Sequence, residues 1–463
     1  MTKERIKTVL LVILVLSSLV LSGEIWFGEK LWPEGYDFFS VYEETFLGKL
    51  YSWFKGDEES LSINDTGALD SIFAPKTTML SFDDGRLTLD STDSDGELVV
   101  DKINEVLKES FVSQKISTID EADWQEALAQ NGIYADYSVP VGVKPMMDFL
   151  GCEGSDQPLF DSFDRMVIVI GDGTKTSIPV YFRNSETGEH RSVITAFSKD
   201  NLLEFLSTYS TKPMLNLAYS FELNLDKKVE GEGQNHQKVI LDPYILLPLD
   251  SMEMNSIKAD YINVSENAEK ILSVMGYNKN TVRRFTRKDT ILFVDSKSTL
   301  TVGKNYIEYE ASASQDGIQI GNDSNIATAA AGSASLIDKI ISCFEVNGNT
   351  KLYISTPLTD EKKEEYILYF DYLYDAVPVS LNDHGCTVTV RNGCITHMKI
   401  FIRSFSEAEK LEESYALDVL EKVYGKVNRD IEINELIPGY EKQGDTYRKI
   451  WNATVDGDKI AVY

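Results

Sequence analysis

The chain opens with its longest run of apolar positions and never repeats it. Val9–Ser22 carries no charge; Lys3, Arg5 and Lys7 stand before it and Trp26-Phe27 after it. A basic flank, an uncharged apolar helix and aromatic residues beyond it describe insertion with the amino terminus inside. A span takes roughly 20 residues, and counting from Ile6, with Lys7 reaching back to the headgroups, gives about 18, adequate for crossing. The pattern predicts a cytoplasmic tail over 1–5, a single transmembrane helix over 6–27, and the bulk of the chain outside the cytoplasm. The rival is a secretory signal with Val20 and Ser22 as small residues before cleavage at Gly23. Ser18 and Ser22 lie one helical turn apart, with Ser17 adjacent. Small residues at that spacing let helices approach closely in lipid, so the two mark a membrane contact; the plainer alternative is a tether.

Beyond Trp32-Pro-Glu-Gly-Tyr36 the periodicities divide the chain into three predicted domains, 36–199, 200–320 and 330–463. In the first, Val100, Ile103, Val106 and Leu107 repeat at helical spacing. Thr118-Ile-Asp-Glu121 reads as a capping box ahead of Trp124 and Leu128. Strands follow over Met166–Ile170, Ile178–Phe182 and Val193–Phe197, with Pro179 marking an edge or a strand beginning. In the second, Ser198 is placed to cap a helix carrying Leu202, Leu206 and Tyr209, and Ser265 another ending at Gly276. Strands at Thr290–Val294 and Tyr306–Glu310 are joined through Thr301–Asn305, and the Ala-, Ser- and Gly-rich stretch 311–334 reads as a linker with a short helical piece at Ala327–Ala331.

The third domain has the clearest pattern. Ser335 caps a helix with Ile337, Ile340, Ile341 and Phe344; strands follow at Lys351–Ser355, Tyr366–Tyr374, Thr387–Val390 and Cys394–Ile402. Ser406-Glu-Ala-Glu409 then opens a helix with Ala408, Leu411, Tyr415, Val419 and Val423 in one stripe, and Ile450–Val455 with Lys459–Tyr463 closes the chain as a hairpin. Antiparallel meanders with a few packed helices make the ectodomain α+β rather than doubly wound. Of 23 tyrosines, Tyr366, Tyr372 and Tyr374 share a strand face with Leu368 and Phe370. They are candidates for a partner interface, since tyrosine gives rigid contact area with a polar tip; packing of the sheet is the competing use.

The chain's 463 residues carry a net charge of −29, and because the first 22 carry +2 the remaining 441 carry −31. Nucleic acid binding needs clustered Lys and Arg and is set aside. Four cysteines do not make a disulfide framework. Cys386 and Cys394 flank an Asn392-Gly393 turn that puts Arg391 opposite Cys394 and Cys386 opposite Lys399, so they are not expected to bond.

Chemistry is sparse. His190, His236, His384 and His397 fall in no metal-ligand spacing, and the two-residue spacing of His384 and Cys386 lacks any further soft ligand. Asp93, Asp95 and Gly96 sit as in a calcium loop, but Ser91 and Lys102 occupy its first and last ligand positions, which favours a hairpin or solvated turn. Gly171–Thr176 lacks the full phosphate-loop pattern. No nucleophile elbow is present, whereas a glycosidase's carboxylate pair, set by fold, leaves no signature among 74 acidic residues. No catalytic residue, cofactor or metal is assigned.

The chain resembles the YycH family, single-span accessory proteins found beside an essential cell-wall-regulating histidine kinase in Gram-positive bacteria. The resemblance rests on Lys3–Thr8 with the apolar span and Trp26, Asp295–Val302 with Ile307–Glu310, Phe370-Asp-Tyr372 with Val377-Pro-Val379, and Ile437–Tyr440 with Trp451 and Asp456-Gly457. The last domain is also similar to the sister YycI family in its Tyr-rich strands and Pro-Gly-Tyr … Trp ending. The chain departs from the pattern around Ala311–Ala334. The resemblance implies a non-enzymatic regulator whose membrane helix and external domains associate with a YycI-like protein and the sensor kinase, restraining it. The alternatives are an envelope carbohydrate-active hydrolase or ligand-binding protein, and a passive structural protein.

Overall fold

The computed structural model describes residues 73–89, 94–113, 115–152, 158–170, 177–223, 228–229, 237–320, 325–359, 363–426, 431–455 and 458–462, all within one compact unit, Ser60–Tyr463. The predicted membrane helix over 6–27, with Ser18 and Ser22, lies outside them, as do Gly171–Thr176 and His236. Among the described residues no helix is long and apolar enough to cross a membrane.

Seven strands build the first sheet: β1 (Thr77–Phe82), β2 (Gly85–Leu89), β3 (Ile116–Thr118), β4 (Gly132–Gly142), β5 (Ser162–Val169), β6 (Ile178–Asn184) and β7 (Glu189–Thr195). Their order is β2-β1-β4-β5-β6-β7-β3, antiparallel throughout. Helix α1 (Ser94–Val112) lays Val99, Ile103, Val106 and Phe111 on one face. Its first turn holds Asp95 and Glu97, which complement the helix dipole; Asp95 and Gly96 thus open a helix in place of the expected hairpin or solvated turn, and Asp93 lies outside the described residues. Helix α2 (Glu121–Leu128) covers the other face with Trp124, Ala127 and Leu128. Its capping box is Asp120 with Asp123, two residues beyond the predicted one. Thr118 ends β3 instead, its hydroxyl taken by Arg191. Pro179 stands at the beginning of a central strand, β6. A short α3 (Val143–Phe149) and α4 (Lys199–Ser207) follow, α4 capped by Ser198 as its sequence indicates.

The connecting segment holds β8 (Leu217–Tyr219), α5 (Ser220–Leu223), β9 (Lys228–Val229), β10 (Gln237–Leu241) and β11 (Leu246–Pro248). It closes the α2 side of the first sheet through Tyr219 and Tyr244. After β12 (Asn255–Ala259) comes α6 (Ala268–Val274). Gly276, at φ +75°, terminates α6, with Gly276 N–H donating to Ser273 and Tyr277 N–H to Leu272. Its start differs from expectation: Ser265 lies in a 3-10 turn and its hydroxyl donates to Asn263.

The second sheet is a meander of β13 (Arg283–Arg287), β14 (Thr290–Val294), β15 (Ser298–Val302) and β16 (Tyr306–Ala311), followed by β17 (Ile318–Gln319). Thr301 and Val302, read as part of the connection Thr301–Asn305, thus belong to a strand, with Ser298, Leu300 and Val302 buried in alternation. The larger departure is the predicted linker. Asn325 accepts Thr328 N–H at 2.7 Å and starts α7 (Ile326–Ile341), which runs unbroken through Ser335. Twelve of its 16 residues are buried, so it is a core helix, with Asp338 its exposed position. Its small residues are what close packing requires: a Cβ on Gly332 would lie 2.4 Å from Ile320 Cβ.

Then come β18 (Thr350–Ile354), β19 (Glu365–Tyr374), β20 (Val377–Val379), β21 (Cys386–Arg391), β22 (Cys394–Phe401) and β23 (Phe405–Lys410). Ser406–Glu409, expected to open a helix, belongs to β23 and pairs with β12; the helix α8 (Ala416–Lys426) begins later, with Val419 and Val423 buried. The pairing with β12 outweighs the local capping pattern. The chain ends in β24 (Ile431–Gln443), β25 (Thr446–Val455) and β26 (Asp458–Val462).

Strand β16 pairs with β22, so the sheet runs on across residues 311–334 into β21, β19 and β18. Strand β20 links β19 to β24. The β21–β22 hairpin turns at Asn392 and Gly393, φ +50° and +75°, with Arg391 opposite Cys394. A bulge at Thr389/Val390 then shifts the register, so Cys386 faces Ile400 and not Lys399. Both thiols are free. The architecture is mixed α and β with mainly antiparallel sheets.

Candidate partner-binding face

An antiparallel sheet packed on one face and wet on the other alternates along every strand. In β19, Tyr366, Leu368, Phe370, Tyr372 and Tyr374 point inward and Glu365, Ile367, Tyr369 and Asp371 outward. Tyr366 joins the large core with Leu368 and Phe370, while Tyr372 and Tyr374 pack with Phe405, Tyr440 and Tyr447. Tyr372 Oη donates to Phe401 C=O at 2.6 Å. The three tyrosines therefore share one face, as parity requires, but that face is the core of this chain, and their rings are not presented to a partner.

The signal for the outward set is charge, which marks a wet face, here Asp371 and Glu365, and not the number of tyrosines. Its residues line up across strands. One cross-strand row runs Leu292, Thr301, Glu308, Lys399, Thr387, Tyr369. The next runs Val294, Thr299, Glu310, His397, Thr389, Ile367. Lys399 Nζ is 3.8 Å from Glu308 and lies 5.4 Å over Tyr306 and 5.6 Å over Phe401. His397 Nε2 is 3.6 Å from the same carboxylate. Ile367 is 45% exposed. None of the twelve residues in these rows is buried.

At the far end the face deepens into a hollow of about 540 Å³ bordered by Tyr353, Asp371, His384, Phe401 and Lys459. The His384 ring stacks on Tyr369 at 4.2 Å, and its Nδ1 is 3.0 Å from each Asp371 oxygen. Burial first, then Asp371 and Glu435, pushes the Tyr353 phenol up to about 12, so it keeps its proton. Cys386, two residues from His384, is fully buried and its thiol is pushed up by burial, so it supplies no ligand or nucleophile here. Aromatic rings with polar tips on a rigid sheet suit protein recognition.

A second cavity, about 530 Å³, lies between α1, β4, α7 and β18. Glu97, Asp101 and Asp338 line it, and all three are exposed. A glycosidase acid is held protonated by burial, which none of them has. The buried carboxylate among the described residues is Asp164, which accepts Ser185 N–H at 2.9 Å. No cluster of three or more metal-ligating side chains occurs among the described residues.

Residues 4–204 match the family model described as YycH protein, N-terminal domain. No curated protein matches the sequence. The crystal structure of YycH from Bacillus subtilis has the same fold, with a TM-score of 0.52 at 14% identity, covering 85% of this chain and 97% of that one. The two findings support the YycH family, the first over residues 4–204 and the second as a likeness of fold.

Proposed function

We propose that the protein is a membrane-anchored, extracytoplasmic, non-enzymatic regulator. It associates with an essential cell-wall-controlling sensor histidine kinase and a YycI-like membrane protein and restrains the kinase. The observation that carries this reading is the match of residues 4–204 to the YycH N-terminal family. The basic flank and apolar span over 6–27 supply the anchor, with Ser18 and Ser22 as its helix contact. The last domain, similar to YycI in its Tyr-rich strands, supplies a surface for the YycI-like partner. On the outside, the Ile367, Tyr369 and His384 face is the contact, in place of Tyr366, Tyr372 and Tyr374.

The test is membrane co-purification with crosslinking, joined to a kinase phosphorylation assay. Recovery of two membrane partners and lower kinase output in the three-protein assembly is the expected result. Recovery of no membrane protein, with the bilayer intact during capture, overturns the assembly; recovery without a change in phosphorylation leaves a scaffold and overturns the regulation.

A further inference from the structure

We propose that β13, Arg283–Arg287, is a docking edge that accepts an acidic, extended segment of a partner protein as an added strand. Strand β13 pairs with β14 alone among the described residues, and all five of its residues are exposed. It joins β14 through a two-residue turn, Lys288-Asp289, with Lys288 at φ +41°. In such a hairpin the residues flanking the turn exchange both backbone hydrogen bonds, and bonded pairs recur at every second residue. Arg287, Phe285 and Arg283 therefore spend their backbone groups on β14. The N–H and C=O of Arg284 and Thr286 face away from it, as a template for another strand.

The side chains say which strand fits. Arg284 turns toward Phe293, 5.7 Å from its ring, and is bonded to Glu269 at 3.1 Å. Arg283, Phe285 and Arg287 lie on the opposite face, continuous with Val294, Leu292 and Thr290. No carboxylate among the described residues pairs with Arg283 or Arg287, although the chain carries −29 overall. Edges are commonly blunted by charge, which accounts for the arginines. It does not account for Phe285, 52% exposed between them. The complement is an extended segment with acids at i and i+4 and an apolar residue at i+2, each opposite its partner.

Two other occupants fit less well. A second copy paired antiparallel through β13 sets arginine against arginine. A lipid surface offers nothing to the unpaired backbone groups and repels the rest of this acidic chain. The inference does not depend on which kinase, or whether any kinase, is regulated.

The purified full chain is titrated against a labelled peptide, Thr-Glu-Thr-Val-Thr-Glu-Thr, and against the same peptide with lysine in place of glutamate. Saturable binding of the acidic peptide alone is expected, weakening steeply between about 0.05 and about 0.5 M salt as the Debye length shortens from about 14 to about 4 Å. Arg283→Glu with Arg287→Glu, at exposed positions, lowers affinity at least about tenfold. Thr286→Pro keeps every charge and the β14 ladder but deletes one outward N–H, and it too lowers affinity about tenfold. Equal binding of both peptides, or parental affinity in Thr286→Pro with an unchanged circular dichroism spectrum, overturns strand addition. So does capture of phosphatidylglycerol vesicles through these arginines without peptide binding, or a concentration-dependent dimer abolished by the double arginine variant.

Discussion

The close approach of α7 to Ile320 makes Gly332→Ala a sharp test of the core. In an unstrained helix this change gains about 1 kcal/mol of propensity. Here the new Cβ would sit 2.4 Å from Ile320 Cβ and 3.0 Å from its Cγ2 and Cδ1, against a normal carbon contact of about 3.5–4.0 Å. Neither Cβ moves by changing rotamer, so more than about 1 Å must come from the backbone. Ile320 is held there, buried, with its N–H donating to Gly393 at 3.0 Å. Overpacking costs about 1–3 kcal/mol, and a contact of this kind belongs to the upper half. The net expectation is a loss of about 1–2 kcal/mol. Gly348, where a Cβ meets nothing within 4 Å, is the control; Gly348→Ala should gain about 0.4–1 kcal/mol. Urea unfolding followed by circular dichroism reads both. A Gly332→Ala protein more stable than its parent refutes the packing of α7 and restores the exposed linker.

Four further outcomes follow from other residues. Tyr372→Ala removes a fully buried ring and its bond to Phe401 and should cost about 3–5 kcal/mol in urea unfolding. Ile367→Asp with Tyr369→Ala, on the wet face, should leave unfolding nearly unchanged while abolishing crosslinks to membrane partners. Asn325→Ala, losing the α7 cap, should cost about 1 kcal/mol. His190 is held below its ordinary value by burial, with Arg183 adding to the effect. Its neutral form is favoured in the folded state, so its contribution is full above about pH 6.5 and is lost as pH falls through the lower folded value; His190→Asn should flatten the urea midpoint across that window.

The legible parts of the fold were those where local pattern and long-range pairing agree. Alternation in β19, the Asn-Gly turn at 392–393, the Ser198 cap and the Gly276 stop all act over a few residues, and all stand where the sequence puts them. The failures are places where a distant partner decides. Ser406–Glu409 carries a capping pattern, yet the edge of β12 claims it as a strand. Residues 327–334 lack large side chains and so read as a linker, but a helix surrounded by core needs small residues to let its neighbours close in. The bulge that sets Cys386 against Ile400 leaves no trace in the hairpin's composition. The candidate face was half legible: parity separated the two sides of β19, but only the position of α7 determines which side is the core.

Charge is distributed differently over the face and its edge, and that difference separates their roles. In the middle of the sheet the ions answer one another: Glu308 meets both His397 and Lys399, Arg391 meets Glu365, and Asp371 meets His384. A partner covering that region gains little from its own charges, because His397, Lys399, Arg391 and Asp371 are already partnered, and exposed pairs are worth about 0–1 kcal/mol. Affinity there has to come from the area of Ile367, Tyr369, Tyr306 and Phe401, and should change little with salt. At β13 the arginines of the outer face lack such partners, so association there should weaken steeply as salt screens it. Crosslinking yields measured at low and high ionic strength would therefore resolve the two contacts. A yield through Ile367 and Tyr369 that falls with salt as steeply as peptide binding at β13 would contradict the division.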